Sequence, residues 1–156
     1  MKQVYLFDWG DTLMVDDLSQ PGHMKDWPEV AEVPGAASLL AAISQTAAVY
    51  VATGAENTNP ELVQAAFKRT SLSSYITGYF CPDNVGFAKS STQYYRTIAT
   101  MLGVAVNEIT MVGDNLTRDV LPALEVGMKG VWFNPKQLEN TLAVKEIYSL
   151  DELIGE

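Results

Sequence analysis

Short, continuous apolar runs alternate along this chain with segments whose apolar residues recur at helical spacing. The runs at residues 4–7, 48–52, 75–80, 109–112 and 130–133 have the pattern of parallel strands buried on both faces. Between them, Ala36, Leu39, Leu40 and Ile43 form one helical stripe. Leu62, Val63, Ala66 and Phe67 form a second, opened by Asn59-Pro60 as cap and first-turn proline. Tyr94, Tyr95, Ile98, Met101 and Leu102 form a third, begun at Ser90 or Ser91 and stopped by Gly103. A fourth carries Val120, Leu121 and Leu124 and ends near Gly127, so Pro122 must lie in its first turn or bend it. A weak strand near Ile147 and a short helix over 151–154 close the chain. The alternation predicts an α/β fold: a doubly wound, mostly parallel five-stranded sheet with helices on both faces. There is no internal repeat. The one irregular stretch is 14–33, with Asp16, Asp17, Pro21, Gly22, His23, Trp27 and Pro28; it is too short for a domain of its own, and loops of that length are often functional.

Composition narrows the options. At 156 residues and 47% apolar, the chain reads as a single domain over 1–156 with a real core. A net charge of −9 argues against a nucleic-acid backbone or an anionic membrane as partner, since both need clustered Lys and Arg. Any phosphate group must therefore be attracted locally. The single Cys81 forms no internal disulfide, which suits a reducing, cytoplasmic setting. Met1-Lys2-Gln3 leads straight into a strand without a signal-peptide pattern, and no apolar run is of membrane-spanning length.

The candidate chemistry sits where strands end. Ile109 to Val112 runs into Gly113-Asp114-Asn115-Leu116-Thr117-Arg118-Asp119, and Val4 to Phe7 runs into Asp8-Trp9-Gly10-Asp11-Thr12-Leu13. Carboxylates at the carboxyl ends of buried strands face the crevice where open α/β sheets bind ligands. Oxygen ligands there suit a hard cation such as Mg²⁺. Thr53 follows the second strand and Lys89 precedes the third helix. Each residue also has an ordinary reading: Asp8 and Asp114 as turn or cap residues, Thr53 as a strand end, Lys89 as a solvated lysine, Asp119 as a first-turn carboxylate favoured by the helix dipole.

Taken in order, the Phe-Asp-x-x-x-Thr-Leu start, the strand ending in Thr53, Lys89 and the Gly-Asp-x-x-x-x-Asp turn resemble the four motifs of the haloacid-dehalogenase-like (HAD) superfamily, over essentially the whole chain. The resemblance implies a Rossmann-like core and Mg²⁺-dependent hydrolysis of a phosphate monoester, with Asp8 as nucleophile forming an aspartyl-phosphate. It implies Asp8, the Gly10 carbonyl and Asp114 as metal ligands. Thr53 and the Gly54 amide would bind phosphate oxygens, with Lys89 balancing charge and Asp119 holding a metal-bound water or the lysine.

Two departures stand out. Phosphatases of the superfamily carry a second aspartate two residues after the nucleophile, and here that position is Gly10. Asp11 follows one place later as the candidate for proton transfer, with Asp16 and His23 as further candidates. General acid–base help is worth roughly 10²–10⁴-fold, so turnover is expected to be slow or limited to good leaving groups. Only 45 positions separate Asp8 from Thr53, too few for a helical cap, so no separate cap domain is expected. The site should then be open, screened by residues 14–33, with a small phosphate ester or a phosphorylated macromolecule as substrate and homo-oligomerisation as one way to complete it. Dehalogenation is disfavoured by the missing cap and the missing arginine after the first motif. The rival function is a catalytically impaired phosphate- or metal-binding regulatory module. A receiver-like phosphoacceptor domain fits poorly, because its acidic pair would lie on the first strand.

Overall fold

The structure is a computed structural model that describes residues 3–155; Met1 and Lys2, where the absence of a leader was read, lie outside the described residues. Among these residues a six-stranded sheet runs in the order β3-β2-β1-β4-β5-β6. The strands are β1 (Gln3–Phe7), β2 (Ala47–Ala52), β3 (Gly78–Phe80), β4 (Ile109–Gly113), β5 (Lys129–Phe133) and β6 (Glu146–Ile147), and each pairs in parallel with its neighbour. Five are the expected strands; the sixth, at the edge, is the weak one near Ile147. The third begins later than its apolar run, because Ser73–Tyr75 closes a 3₁₀ turn before the chain enters the sheet.

Both faces are covered. Phe7, Val49, Val51, Val112 and Val131 point to one side, where α1 (Ala36–Ile43) and α2 (Pro60–Phe67) pack with Leu39, Leu40, Val63 and Phe67. Val4, Leu6, Ile109 and Met111 point to the other. They meet α3 (Pro82–Val85), α4 (Thr92–Leu102) and α5 (Leu121–Glu125) through Val85, Tyr94, Tyr95, Ile98 and Ala123. Burying each of the larger side chains is worth about 1.5–3 kcal/mol, which explains why continuous apolar runs rather than alternating ones mark these strands. The caps read from sequence are present: Asn59 accepts from the Leu62 amide at 2.9 Å, Ser91 from the Tyr94 amide at 3.3 Å, and Gly103 ends α4 with φ +68°. The short α3 was not anticipated; Pro82 opens it and Asn84 reaches back to the Cys81 amide at 2.8 Å.

The fourth helical segment starts as a π-helical turn, Leu116–Val120, before α5. Pro122 has no N–H for the carbonyl of Arg118 four residues back. Tyr95 donates its hydroxyl to that carbonyl instead, at 2.7 Å. A tyrosine of α4 thus closes the gap left by the proline and ties the two elements together.

The order of strands reverses at β1: β2 and β3 lie to one side, β4 to β6 to the other. That reversal opens a crevice at the carboxyl ends of β1 and β4. Register places the two ends together, with Phe7 opposite Val112 and the Asp8 amide donating to the Val112 carbonyl at 2.9 Å.

Candidate active site

A cleft of about 420 Å³ lies at this crevice, lined among others by Asp8, Gly10, Asp11, Thr53, Gly54, Lys89, Asp114 and Asp119. All of the residues chosen from sequence therefore share one cavity, although the first and last lie more than a hundred positions apart. Lys89 is the hub. Its Nζ lies 2.7 Å from Asp8 Oδ1 and 2.7 Å from Asp119 Oδ1, and the lysine is only 2% exposed. Asp119 uses its other oxygen to accept from the Asn115 amide at 2.9 Å. This fold-back depends on Gly113, since a Cβ there would collide with the Asp119 carboxylate.

Thr12 joins the two strand ends. Its hydroxyl lies 3.2 Å from Asp8 Oδ2 and 3.4 Å from Asp114 Oδ1, and it accepts from the Asp114 amide at 3.2 Å. With one proton to give, it serves one carboxylate at a time. Trp132 donates to the Asp114 carbonyl at 3.0 Å. On the other side, Tyr94 donates to the Thr53 carbonyl at 2.8 Å, and the Thr53 hydroxyl oxygen accepts from the Ala55 amide at 3.1 Å. The Thr53 O–H proton is thus uncommitted among the described residues and able to donate into the cleft.

Charge crowding shapes the acid–base behaviour. Burial would raise the Asp8 carboxyl, but the Lys89 charge, hydrogen bonds from its side chain and the Trp9 amide, and the bond to Asp114 outweigh it; the net direction is down. For Lys89, burial is opposed by the charges of Asp8 and Asp119, which keep the ammonium protonated and shift it upward. Asp114 is pushed up to about 8, by burial first and then by sharing a proton with Asp8 and facing Asp8, Asp119 and Asp11. Asp119 rises to about 6, because burial and the Asp8 charge exceed the help from Lys89 and the Asn115 amide. Carboxylates that hold protons this far above their ordinary range gain from a cation in place of the proton.

Oxygens of Asp8, Asp114 and Asp119 lie within 4.8 Å of one another. An oxygen-only donor set fits a hard divalent cation. Both Asp119 oxygens already face Lys89 or an amide, and Asp8 faces Lys89 and the Thr12 hydroxyl, while the Asp114 carboxylate has no cationic partner among the described residues. Gly10 lines the same cleft at the turn after β1.

The rim is irregular. Residues 14–33 leave and return as a paired stem, with Val15 bonded to Ala31 and Val33 to Leu13. Arg69 fastens the far end, donating to the carbonyls of Met24 and Lys25 at 3.3 Å, Pro28 at 3.4 Å, and Trp27. This holds His23, Met24 and Trp27 on the cleft wall. Asp11, at φ +61°, accepts the Asp16 amide at 3.0 Å and so shapes the turn. Asp16 itself leans over Gly10: a Cβ on Gly10 would lie 3.2 Å from the Asp16 Cβ and 3.4 Å from its Oδ2. Burial raises the Asp16 carboxyl, as do the charges of Asp11, Asp8 and Asp17.

A family model described as haloacid dehalogenase-like hydrolase matches residues 29–127, more than half of the chain. The chain belongs to the haloacid dehalogenase-like hydrolases. The matched span holds Thr53, Lys89, Asp114 and Asp119; Asp8 lies ahead of it and joins the site through the β1–β4 pairing. This HAD-like chain is 29% identical over 134 residues to a glyceraldehyde 3-phosphate phosphatase of Pyrococcus furiosus, covering 84% of the chain and 55% of that protein. It is 27% identical over 90 residues to the pyrimidine 5'-nucleotidase PynA of Streptococcus pneumoniae, covering 55% of the chain and 38% of that protein. The chain thus spans about half or less of the length of these curated relatives. A solved HAD phosphatase from Thermococcus onnurineus superposes with a TM-score of 0.77 over 98% of the chain and 96% of that structure; at 20% identity it shows the shared fold. Among the described residues, no separate cap is inserted into the HAD-like core, and no helix is long and apolar enough to cross a membrane.

Sequence reasoning missed four participants. Thr12 stood inside the first motif, and its spacing from Asp8 was the available signal. The two tyrosines of α4 read as packing residues, and do pack edge to face with ring centroids 5.1 Å apart, but their hydroxyls also hold the Thr53 and Arg118 carbonyls. Arg118 passed as an unnamed position within the fourth motif.

Proposed function

We propose that this chain is a Mg²⁺-dependent phosphomonoesterase in which Asp8 is the nucleophile. The single observation that carries the reading is the Asp119–Lys89–Asp8 relay at 2.7 Å contacts beside Asp114, at the topological switch point of the sheet. Lys89 holds Asp8 ionised and aims one of its oxygens, while the Thr12 hydroxyl supports the other. An ionised carboxylate can attack phosphorus, expel the alcohol and form an aspartyl-phosphate, which water then hydrolyses to regenerate Asp8 and release inorganic phosphate. Thr53 O–H and the Gly54 amide would donate to the non-bridging oxygens, and Lys89 would balance the charge that develops. Asp8, Asp114 and the Gly10 carbonyl would hold Mg²⁺, which when bound neutralises repulsion between carboxylate and phosphate. Asp119 would keep Lys89 charged and oriented.

Gly10 removes the acid expected beside the nucleophile. The Asp16 carboxylate leans over that gap, and we assign it the proton transfer to the leaving group and from the attacking water, with Asp11 shaping the turn that presents it. Because Asp16 is exposed and loop-borne, turnover should be slow and favour good leaving groups. Small phosphate esters or exposed phosphoryl groups on macromolecules suit the open cleft. The alternative is a metal- and phosphate-binding regulatory module, which the glycine at position 10 favours.

The deciding experiment is phosphate release from p-nitrophenyl phosphate with and without Mg²⁺, beside an Asp8→Asn variant. Metal-dependent release that falls by roughly 10³-fold or more in the variant, as loss of a covalent nucleophile demands, supports the enzyme. Absence of release with Mg²⁺ still bound supports the regulatory module.

A further inference from the structure

The cleft is lined by Asp8, Asp11, Asp16, Glu56, Asp114 and Asp119 against two cations, Lys89 and Arg118. Lys89 is buried and spent on Asp8 and Asp119. The Arg118 guanidinium, in contrast, is exposed and has no ion pair or side-chain hydrogen bond among the described residues. Its place is nonetheless built. The backbone is held at both polar groups: Asn115 Oδ1 accepts the Arg118 amide at 3.1 Å, and Tyr95 donates to the carbonyl that Pro122 leaves open. The side chain lies across Gly54, where a Cβ would collide with Nη2 and press on the Lys89 Cβ 3.0 Å away. A glycine that clears room for an arginine, beside the proposed phosphate-binding turn, leaves a fork of unused donors on the cleft wall.

We infer that Arg118 is a specificity residue that recognises a second anionic group of the substrate, a carboxylate or a further phosphate, carried on the part that leaves. This rests on the phosphatase reading for the position of the scissile phosphate, which lies deep against Lys89, Thr53 and Gly54. Whatever is attached to that phosphate occupies the rest of the cleft, whose wall Arg118 helps to form. In a cleft this rich in carboxylates an anionic leaving group is otherwise repelled, and Arg118 offsets that repulsion with planar, two-pronged donation that a lysine cannot reproduce.

The test compares phenyl phosphate with 3- and 4-carboxyphenyl phosphate, in the unmodified protein and in Arg118→Met and Arg118→Lys. The ratio of kcat/KM for the carboxylated over the neutral ester should exceed one. It should fall about tenfold or more in Arg118→Met, the loss typical of a charge-assisted hydrogen bond, and fall less in Arg118→Lys. A ratio unchanged by Arg118→Met overturns the inference, including when both esters slow together. Calorimetric binding of phosphonoacetate and 3-phosphonopropionate against propylphosphonate, with Mg²⁺ present, reads the same preference without turnover. The carboxylated ligands should lose their advantage in Arg118→Met, and an advantage that survives overturns the inference. Loss of hydrolysis in Asp8→Asn tests the phosphatase reading separately, so the two can fail independently.

Discussion

The floor and the rim of the cleft are built on different principles. On the floor, Asp8, Thr53 and Asp114 follow directly from buried parallel strands, and Lys89 is 2% exposed between two carboxylates at 2.7 Å. On the rim, Asp11, Asp16, His23 and Arg118 come from turns and an irregular excursion held by Arg69 and Asn115. The floor resembles a preorganised core in which Lys89 pairs with both Asp8 and Asp119, and Asp114 is bonded to the Thr12 hydroxyl. The rim carries charges without partners among the described residues, namely the Asp16 carboxylate and the Arg118 guanidinium. Charges satisfied by the fold hold a geometry together, whereas charges the fold leaves open are available to a substrate.

That contrast can be broken at its strongest point first. Replacing Lys89 with Met strands Asp8 and Asp119 beside each other in a buried setting. In the absence of divalent cations the fold should lose about 3–5 kcal/mol, as when one partner of a buried ion pair is removed. Chemical denaturation measures this, and a loss below about 1 kcal/mol, the range of exposed pairs, would place the floor on the same footing as the rim.

Asp16→Asn probes the rim. It should leave the denaturation midpoint nearly unmoved while slowing an alkyl phosphate by roughly 10²-fold and an aryl phosphate far less, because only the poor leaving group needs the proton. Equal slowing of both esters would show that Asp16 shapes the loop rather than moves a proton.

The smallest expected effect sharpens the account of the floor. Asp114 and Asp119, raised to about 8 and about 6, bind protons more tightly in the fold than in the unfolded chain. Their contribution is therefore most favourable at acid pH and is lost as pH rises through those values. Asp8 is shifted down and Lys89 up, so both keep their charge between pH 6 and 8. The metal-free protein should thus lose stability from pH 6 to 8, and Mg²⁺, competing with the departing protons, should raise Tm by more at pH 8 than at pH 6. A Tm increase independent of pH would show that the cation binds elsewhere.

Much of the floor could be read from sequence because strand ends are local signals. An apolar run that ends in an acid places that acid at the carboxyl edge of the sheet, wherever the strand ranks in the order. The same held for helix caps at Asn59, Ser91 and Gly103. Local pattern failed where neighbouring elements intervene. The apolar run from Tyr75 was longer than β3 because its first residues close a 3₁₀ turn, and α3 was too short to show a period. Asp11 was singled out for its position beside Gly10, and what the pattern did not record is that one oxygen of its carboxylate accepts the Asp16 amide.

The sequence by itself determined the parallel α/β architecture, the ordered set Asp8, Thr53, Lys89, Asp114 and Asp119, and the absence of an acid at position 10. The architecture follows from hydrophobic periodicity, and the ordered residues from their types at strand ends and helix starts together with their resemblance to the HAD motifs, against which the glycine at position 10 is a departure; all of these are local signals. Only the tertiary structure decided which strands are adjacent, that Thr12 reaches Asp114, 102 positions away, as well as Asp8, that Asp16 leans over Gly10, and that Arg118 lies on Gly54. Those outcomes depend on close approach between segments distant in the chain, where removing a single Cβ determines what fits and no local pattern records the neighbour.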